Sequence, residues 1–188
     1  MNTILDLPIH PLAIHAPVIL VPLLVLFGML YLFVPPIRRA IGWVVAALTL
    51  IAPATAYGAV WSGEQLADFL YPNGWPEAVT EHYDYGIRLL WILLGLIPVW
   101  WLFAALDRGR RASALRDADS TPTVVEGEDG ESVSSGASDP AATGRRLFMI
   151  ILGVIAFALL ALAAWMVFNS GDTGASMHWE GWQNRGGQ

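Results

Sequence analysis

Four long apolar stretches constrain this chain more than any other feature. They run Leu12–Val34, Ile41–Trp61, Gly86–Leu106 and Leu147–Phe168. Each is close to the ~20 residues that a helix needs to cross ~30 Å of hydrocarbon. Only the third holds a charge, Arg88, and it lies one turn from the end of the stretch. The expectation is an all-α fold, an integral membrane four-helix bundle, with both termini outside.

The composition agrees. Of 188 residues, 55% are hydrophobic and 14% charged, against about 45–50% and about 25% in soluble domains. A soluble domain of 20.4 kDa has too much surface to hide that apolar content. The net charge of −6 argues against nucleic acid, because phosphate recognition needs a basic face. The absence of Cys excludes disulfides, thiolate zinc sites, cysteine-ligated clusters and CxxCH haem attachment. All ten basic residues are Arg. With the high Ala and Gly content, this points to a GC-rich bacterial genome and so to a bacterial plasma membrane.

The connecting segments differ in character. Val34–Ala40 is tight, with Pro35 and Pro36 ahead of Arg38 and Arg39. The outer loop, 62–85, is rich in acids and aromatics. Within it Gly63–Leu70 reads as a short interfacial helix, Tyr71-Pro72-Asn73-Gly74 as a turn, and Pro76 as the start of a helix beginning near Glu77. Residues 107–146 are rich in Ser, Thr, Pro, Gly and acids, and read as a disordered cytoplasmic linker. Residues 169–188 read as an outer Gly- and Trp-rich tail. The opening lacks the basic n-region of a signal peptide. Ala54 and Gly58 form a small-xxx-small pair that reads as a helix contact, and Pro53 bends the second span.

Arg counts set the orientation. Arg38, Arg39, Arg108, Arg110, Arg111, Arg116, Arg145 and Arg146 lie on the linker side, and Arg88 and Arg185 on the terminal side. The linker side is therefore cytoplasmic. All four histidines then fall outside.

His15 is the leading candidate. It sits a turn inside the first helix, where an ionisable side chain suggests function, although a hydrogen bond to a neighbouring helix would also account for it. Pro17 and Pro22 free the carbonyls of Ala13 and Val18 and favour kinks. His82 opens the third helix and shares a face with Tyr85. His10 precedes Pro11 and reads first as a cap, and His178 reads as an interfacial loop residue. Arg88 follows Asp84 by four residues, which suits a snorkelling pair; the sharper reading is a cation for an anionic ligand such as a haem propionate. No catalytic motif appears, so the chain reads more readily as a non-enzyme.

The segment Leu7-Pro8-Ile9-His10-Pro11-Leu12-Ala13-Ile14-His15-Ala16-Pro17 resembles the opening of the bacterial membrane protein family catalogued as domain of unknown function 2231 (DUF2231), with its HP-x-x-x-H-x-P pattern. His82 matches the family's His near the third helix, and Gly171-Asp172-Thr173-Gly174-Ala175 through Trp179 resembles its Gly-rich ending. Asp172 stands where relatives often carry His. The resemblance implies a small four-helix membrane protein. Because some relatives are joined to Rieske or cytochrome c domains, it also implies an association with electron transfer.

The functional expectation is a redox-associated module. It would bind haem b or a transition metal through His15 and His82, with His10, His178 and Arg88 as further cofactor-binding candidates. Its partners would be the lipid bilayer and a membrane redox complex. The alternative is a non-catalytic accessory or assembly subunit of a membrane complex.

Overall fold

A computed structural model describes residues 3–4, 7–119 and 140–183. A two-residue antiparallel pair, β1 (Thr3–Ile4) with β2 (Leu7–Pro8), precedes an otherwise helical chain. The helices are α1 (Ile9–Ala13), α2 (His15–Phe33), α3 (Arg38–Leu70), α4 (Glu77–Asp119) and α5 (Pro140–Gln183). A 3-10 turn at Pro35–Ile37 joins α2 to α3. Four helical spans, α1 and α2 counting as one, are long and apolar enough to cross a membrane.

A repeating 3–4 spacing builds the core. The buried residues of α2 are Pro17, Val21, Leu24, Gly28 and Tyr31. Along α3 they include Arg38, Gly42, Val45, Thr49, Ala52 and Ala56. Along α4 they include Leu89, Leu93, Leu96, Trp100, Phe103 and Asp107, and α5 contributes Met149, Leu152, Ala156, Leu160 and Ala163. This is the narrow seam of helices packed at shallow angles. The other faces expose Trp43, Trp91, Val154 and Trp165, as expected where the surrounding solvent is hydrocarbon.

Glycine permits the closest approach in the core. A Cβ at Gly28 would lie 2.8 Å from Leu160 Cδ1, and one at Gly42 would lie 3.2 Å from Tyr31. The expected Ala54/Gly58 contact is not the packed pair. Ala54 is exposed and Gly58 has open space beside it, while the neighbouring Ala52 and Ala56 are buried. Gly74 adopts φ of +124° in the turn after α3, where the Gly74 N–H donates to Tyr71 O at 3.1 Å. That φ favours glycine.

Several expected boundaries need correction. Gly63–Leu70 is not a separate interfacial helix but the continuous end of α3. Gly63 lies against the His10 ring there, and Leu66, Ala67 and Leu70 line the same cavity as that ring. The linker expected over 107–146 is helical at both edges, since α4 runs to Asp119 and α5 begins at Pro140. The cause at the first edge is the α4 seam, which continues four residues past Phe103 to a fully buried Asp107; good helix formers (Arg, Ala, Leu) follow. The middle of that linker, 120–139, lies outside the described residues. The tail expected from residue 169 is helical through Gln183. The expected start at Glu77 and the turn before it match the structure.

Candidate functional site

At one end of the bundle α1 lies across α3, while the start of α4 faces the end of α5. Pro17 explains why α1 is separate. It has no N–H to offer Ala13, so one helical bond is missing there, while Ile14 N–H still donates to His10 O at 3.1 Å and Val18 N–H to Ile14 O at 3.2 Å. The short α1 thereby carries His10 over the Ala59–Gly63 turn of α3.

His10 is half-buried. Its Nδ1 lies 3.0 Å from Ala59 O and 3.2 Å from Ser62 Oγ. A carbonyl only accepts, so Nδ1 carries the proton and Nε2 holds the lone pair of the neutral ring. The hydroxyl of Ser62 itself donates to Ala59 O at 3.1 Å. His82, in the second turn of α4, repeats the arrangement. Its Nδ1 lies 3.1 Å from Thr173 Oγ1, and that hydroxyl donates to Asn169 O at 2.9 Å. Thr173 therefore accepts from His82 Nδ1–H, and Nε2 is again the lone-pair nitrogen.

The two imidazoles face each other edge to face, with ring centroids 6.3 Å apart and an interplanar angle of 84°. Each is held beside a glycine. A Cβ at Gly63 would lie 2.8 Å from His10 Cε1, and one at Gly174 would lie 3.1 Å from His82 Cε1. Both rings open onto a cavity of about 660 Å³, well inside the range of small-molecule and cofactor sites. Ile14, Pro17, Ala56, Leu66, Val79, Leu89 and Val167 give it apolar walls, and Tyr71, Trp75, Tyr83 and Trp179 also line it. Trp75 stacks edge-on to Tyr83 at 5.2 Å and donates its indole N–H to Asp68 Oδ1 at 3.0 Å.

The pairing differs from the expected one. His82 faces His10, not His15. His15 is exposed in the first turn of α2 and is absent from the cavity lining. Five residues of helix set His10 and His15 roughly 140° apart, so His10 faces the cavity and His15 does not. His178 lies within α5, and its side chain is outside the described residues. Arg88 is 60% exposed and pairs with Asp84 at 3.6 Å, off the cavity lining. It has the geometry of the snorkelling pair. Among the described residues no three His, Asp or Glu side chains cluster closely enough to hold a metal ion. Sequence reasoning missed Ser62, Thr173, Gly63 and Gly174, whose roles come from contacts between distant segments.

No protein-family model, curated protein or solved structure matches this chain.

Proposed function

We propose that this is a multi-pass protein of a bacterial plasma membrane whose outer end binds haem b between His10 and His82. The observation that carries the reading is the pair of facing imidazoles, each with Nδ1–H tied to a helix-borne oxygen and Nε2 left as a donor for a metal. A hydrogen bond at the second ring nitrogen is the usual support for a ligating histidine. The two rings, with centroids 6.3 Å apart, would be the protein's bases for a metal in the cavity they share. A bare transition metal is less well served, because it needs further protein ligands. A haem would ask fewer bases of the protein, and His10 and His82 would supply them beside the cavity's apolar wall. Bound there, it would supply one-electron redox chemistry.

His10 and His82 would hold the iron, Ser62 and Thr173 would orient the rings, and the cavity's aliphatic walls would exclude water. The external placement of this end rests on the Arg asymmetry. The resemblance to DUF2231 supports a place beside a membrane redox complex.

The test is the absorption spectrum of protein expressed with ample haem and purified without chelator. A Soret band is expected. His10→Ala and His82→Ala should each remove most of it, and His15→Ala should leave it intact. Occupancy should fall on acidification, because a protonated imidazole cannot ligate. Protein carrying neither haem nor stoichiometric metal would overturn this reading and favour the accessory-subunit role.

A further inference from the structure

The opposite end of the bundle holds a second polar centre, built around Asp107. This carboxylate is fully buried, at 0% exposure. Its Oδ1 accepts from Arg38 Nη1 at 2.9 Å and from Arg110 Nη2 at 3.4 Å. Its Oδ2 accepts from the Tyr31 hydroxyl at 3.2 Å and from Arg111 Nη2. Arg38, 9% exposed, also donates to Tyr31 O and Leu32 O at 2.7 and 2.8 Å.

Three guanidiniums thus surround one carboxylate, leaving the cluster with two positive charges over. Arg38 has its donors committed to α2 and Asp107. Arg110 is 62% exposed, while Arg111, 26% exposed, donates from Nε to Asp107 O at 3.3 Å and from Nη2 to Tyr31 Oη at 3.2 Å, so Arg110 and the remaining Nη1 of Arg111 form the accessible side. Among the described side chains at this end, Asp107 is the one acid, while Arg39, Arg108, Arg145 and Arg146 are exposed there. Partly buried guanidiniums call for a second anion, since desolvated charge is costly without a counter-charge.

Depth identifies that anion. Asp107 lies 21 residues beyond Gly86 along one helix, or roughly 31 Å at 1.5 Å per residue. That matches the hydrocarbon thickness of a bilayer, so a bilayer centred on this apolar stretch would bring its phosphates to the cluster. We propose that Arg110 and Arg111, backed by Arg38, form a binding site for the phosphodiester of an anionic phospholipid. A headgroup without its own ammonium is selected, because choline or ethanolamine would bring a cation against the cluster.

The test uses the full chain in bilayers of equimolar phosphatidylglycerol and phosphatidylcholine. Lipid retained after mild detergent extraction is quantified by mass spectrometry. Phosphatidylglycerol should be enriched over phosphatidylcholine. Arg110→Gln should cut that enrichment roughly fivefold, the effect of one arginine at a membrane surface, without shifting thermal unfolding. Arg88→Gln, at the other end, should leave it unchanged. Equal retention of both lipids by the native chain, or full enrichment in Arg110→Gln, overturns the proposal. Displacement of the lipid by millimolar inorganic phosphate would make this a site for soluble oxyanions and overturn the lipid assignment. Four acids, Glu126, Glu128, Asp129 and Glu131, lie between residues 120 and 138 in the sequence. Enrichment that appears only after deletion of residues 120–138 would show that those acids are the occupant, and would likewise overturn it.

Discussion

Asp107 and His10 make opposite demands on their surroundings. Asp107 is buried with both oxygens accepting hydrogen bonds, from Arg38, Arg110, Arg111 and Tyr31. Asp107→Ala should therefore destabilise the bundle by about 3–5 kcal/mol, since it leaves buried guanidinium without its partner; thermal unfolding in detergent checks this. Arg88→Gln should change stability by less than about 1 kcal/mol, because the pair with Asp84 is exposed on both sides and screened by solvent. His10 needs space more than charge. Gly63→Ala would place a methyl 2.8 Å from its ring, and the ring must move off Ala59 O to make room. Occupancy of the proposed haem site in Gly63→Ala should drop by at least half while the helices remain assembled, as read by the Soret band and circular dichroism. Gly174→Ala, with its looser 3.1 Å approach, should have the smaller effect. Of these residues, His10 and His82 were legible from the sequence as candidates. Their pairing was not, because it depends on contacts between distant segments, His10 with Ala59 on α3 and His82 with Thr173 on α5. Asp107 was read as linker. A charge was taken to end a helix, although it continues the spacing Leu96, Trp100, Phe103 by one more step.

The helices themselves were the most legible part of the fold. Apolar length alone gives four spans, and the turn chemistry of Tyr71–Gly74 with Pro76 gives the start of α4. Helix ends were less legible, because hydropathy reports contact with lipid and not continuation of the helix into water. At 43 residues, α4 is roughly 65 Å long, about twice the hydrocarbon thickness, so it projects well beyond any bilayer it crosses. The contact between α2 and α5 is the tightest place to test the packing. Gly28→Val would drive a branched side chain into Leu160, which is 0% exposed. Overpacking of this kind costs about 1–3 kcal/mol. The expected outcome is a lowered unfolding temperature, recovered in part by Leu160→Ala in the same chain. An unchanged unfolding temperature in Gly28→Val would show that the two helices do not meet there.

For the whole molecule, the two polar centres occupy opposite ends of an apolar bundle, an imidazole pair at one and an arginine-rich cluster at the other. The orientation proposed from the Arg count predicts that a reporter fused after Gln188 is active only outside the cytoplasm. A reporter inserted at Gly130 should be active only inside. The reversed pattern would place both histidines in the cytoplasm and dissociate the imidazole site from an external redox partner, while leaving its geometry untouched.

The contact between Arg38 and Asp107 joins residues 69 positions apart, and this has a consequence for biosynthesis. At about 5–20 residues per second, a ribosome delivers the aspartate some 3–14 seconds after the arginine. During that interval Arg38 already has the Tyr31 and Leu32 carbonyls available from the segment made just before it. The first hairpin can therefore be released into the bilayer with its cation held at the surface. The later arrival of Asp107 becomes the step that fastens the third span onto it. A chain arrested before residue 107 would carry an unlatched hairpin, a form that a membrane protease could tell apart from the finished protein.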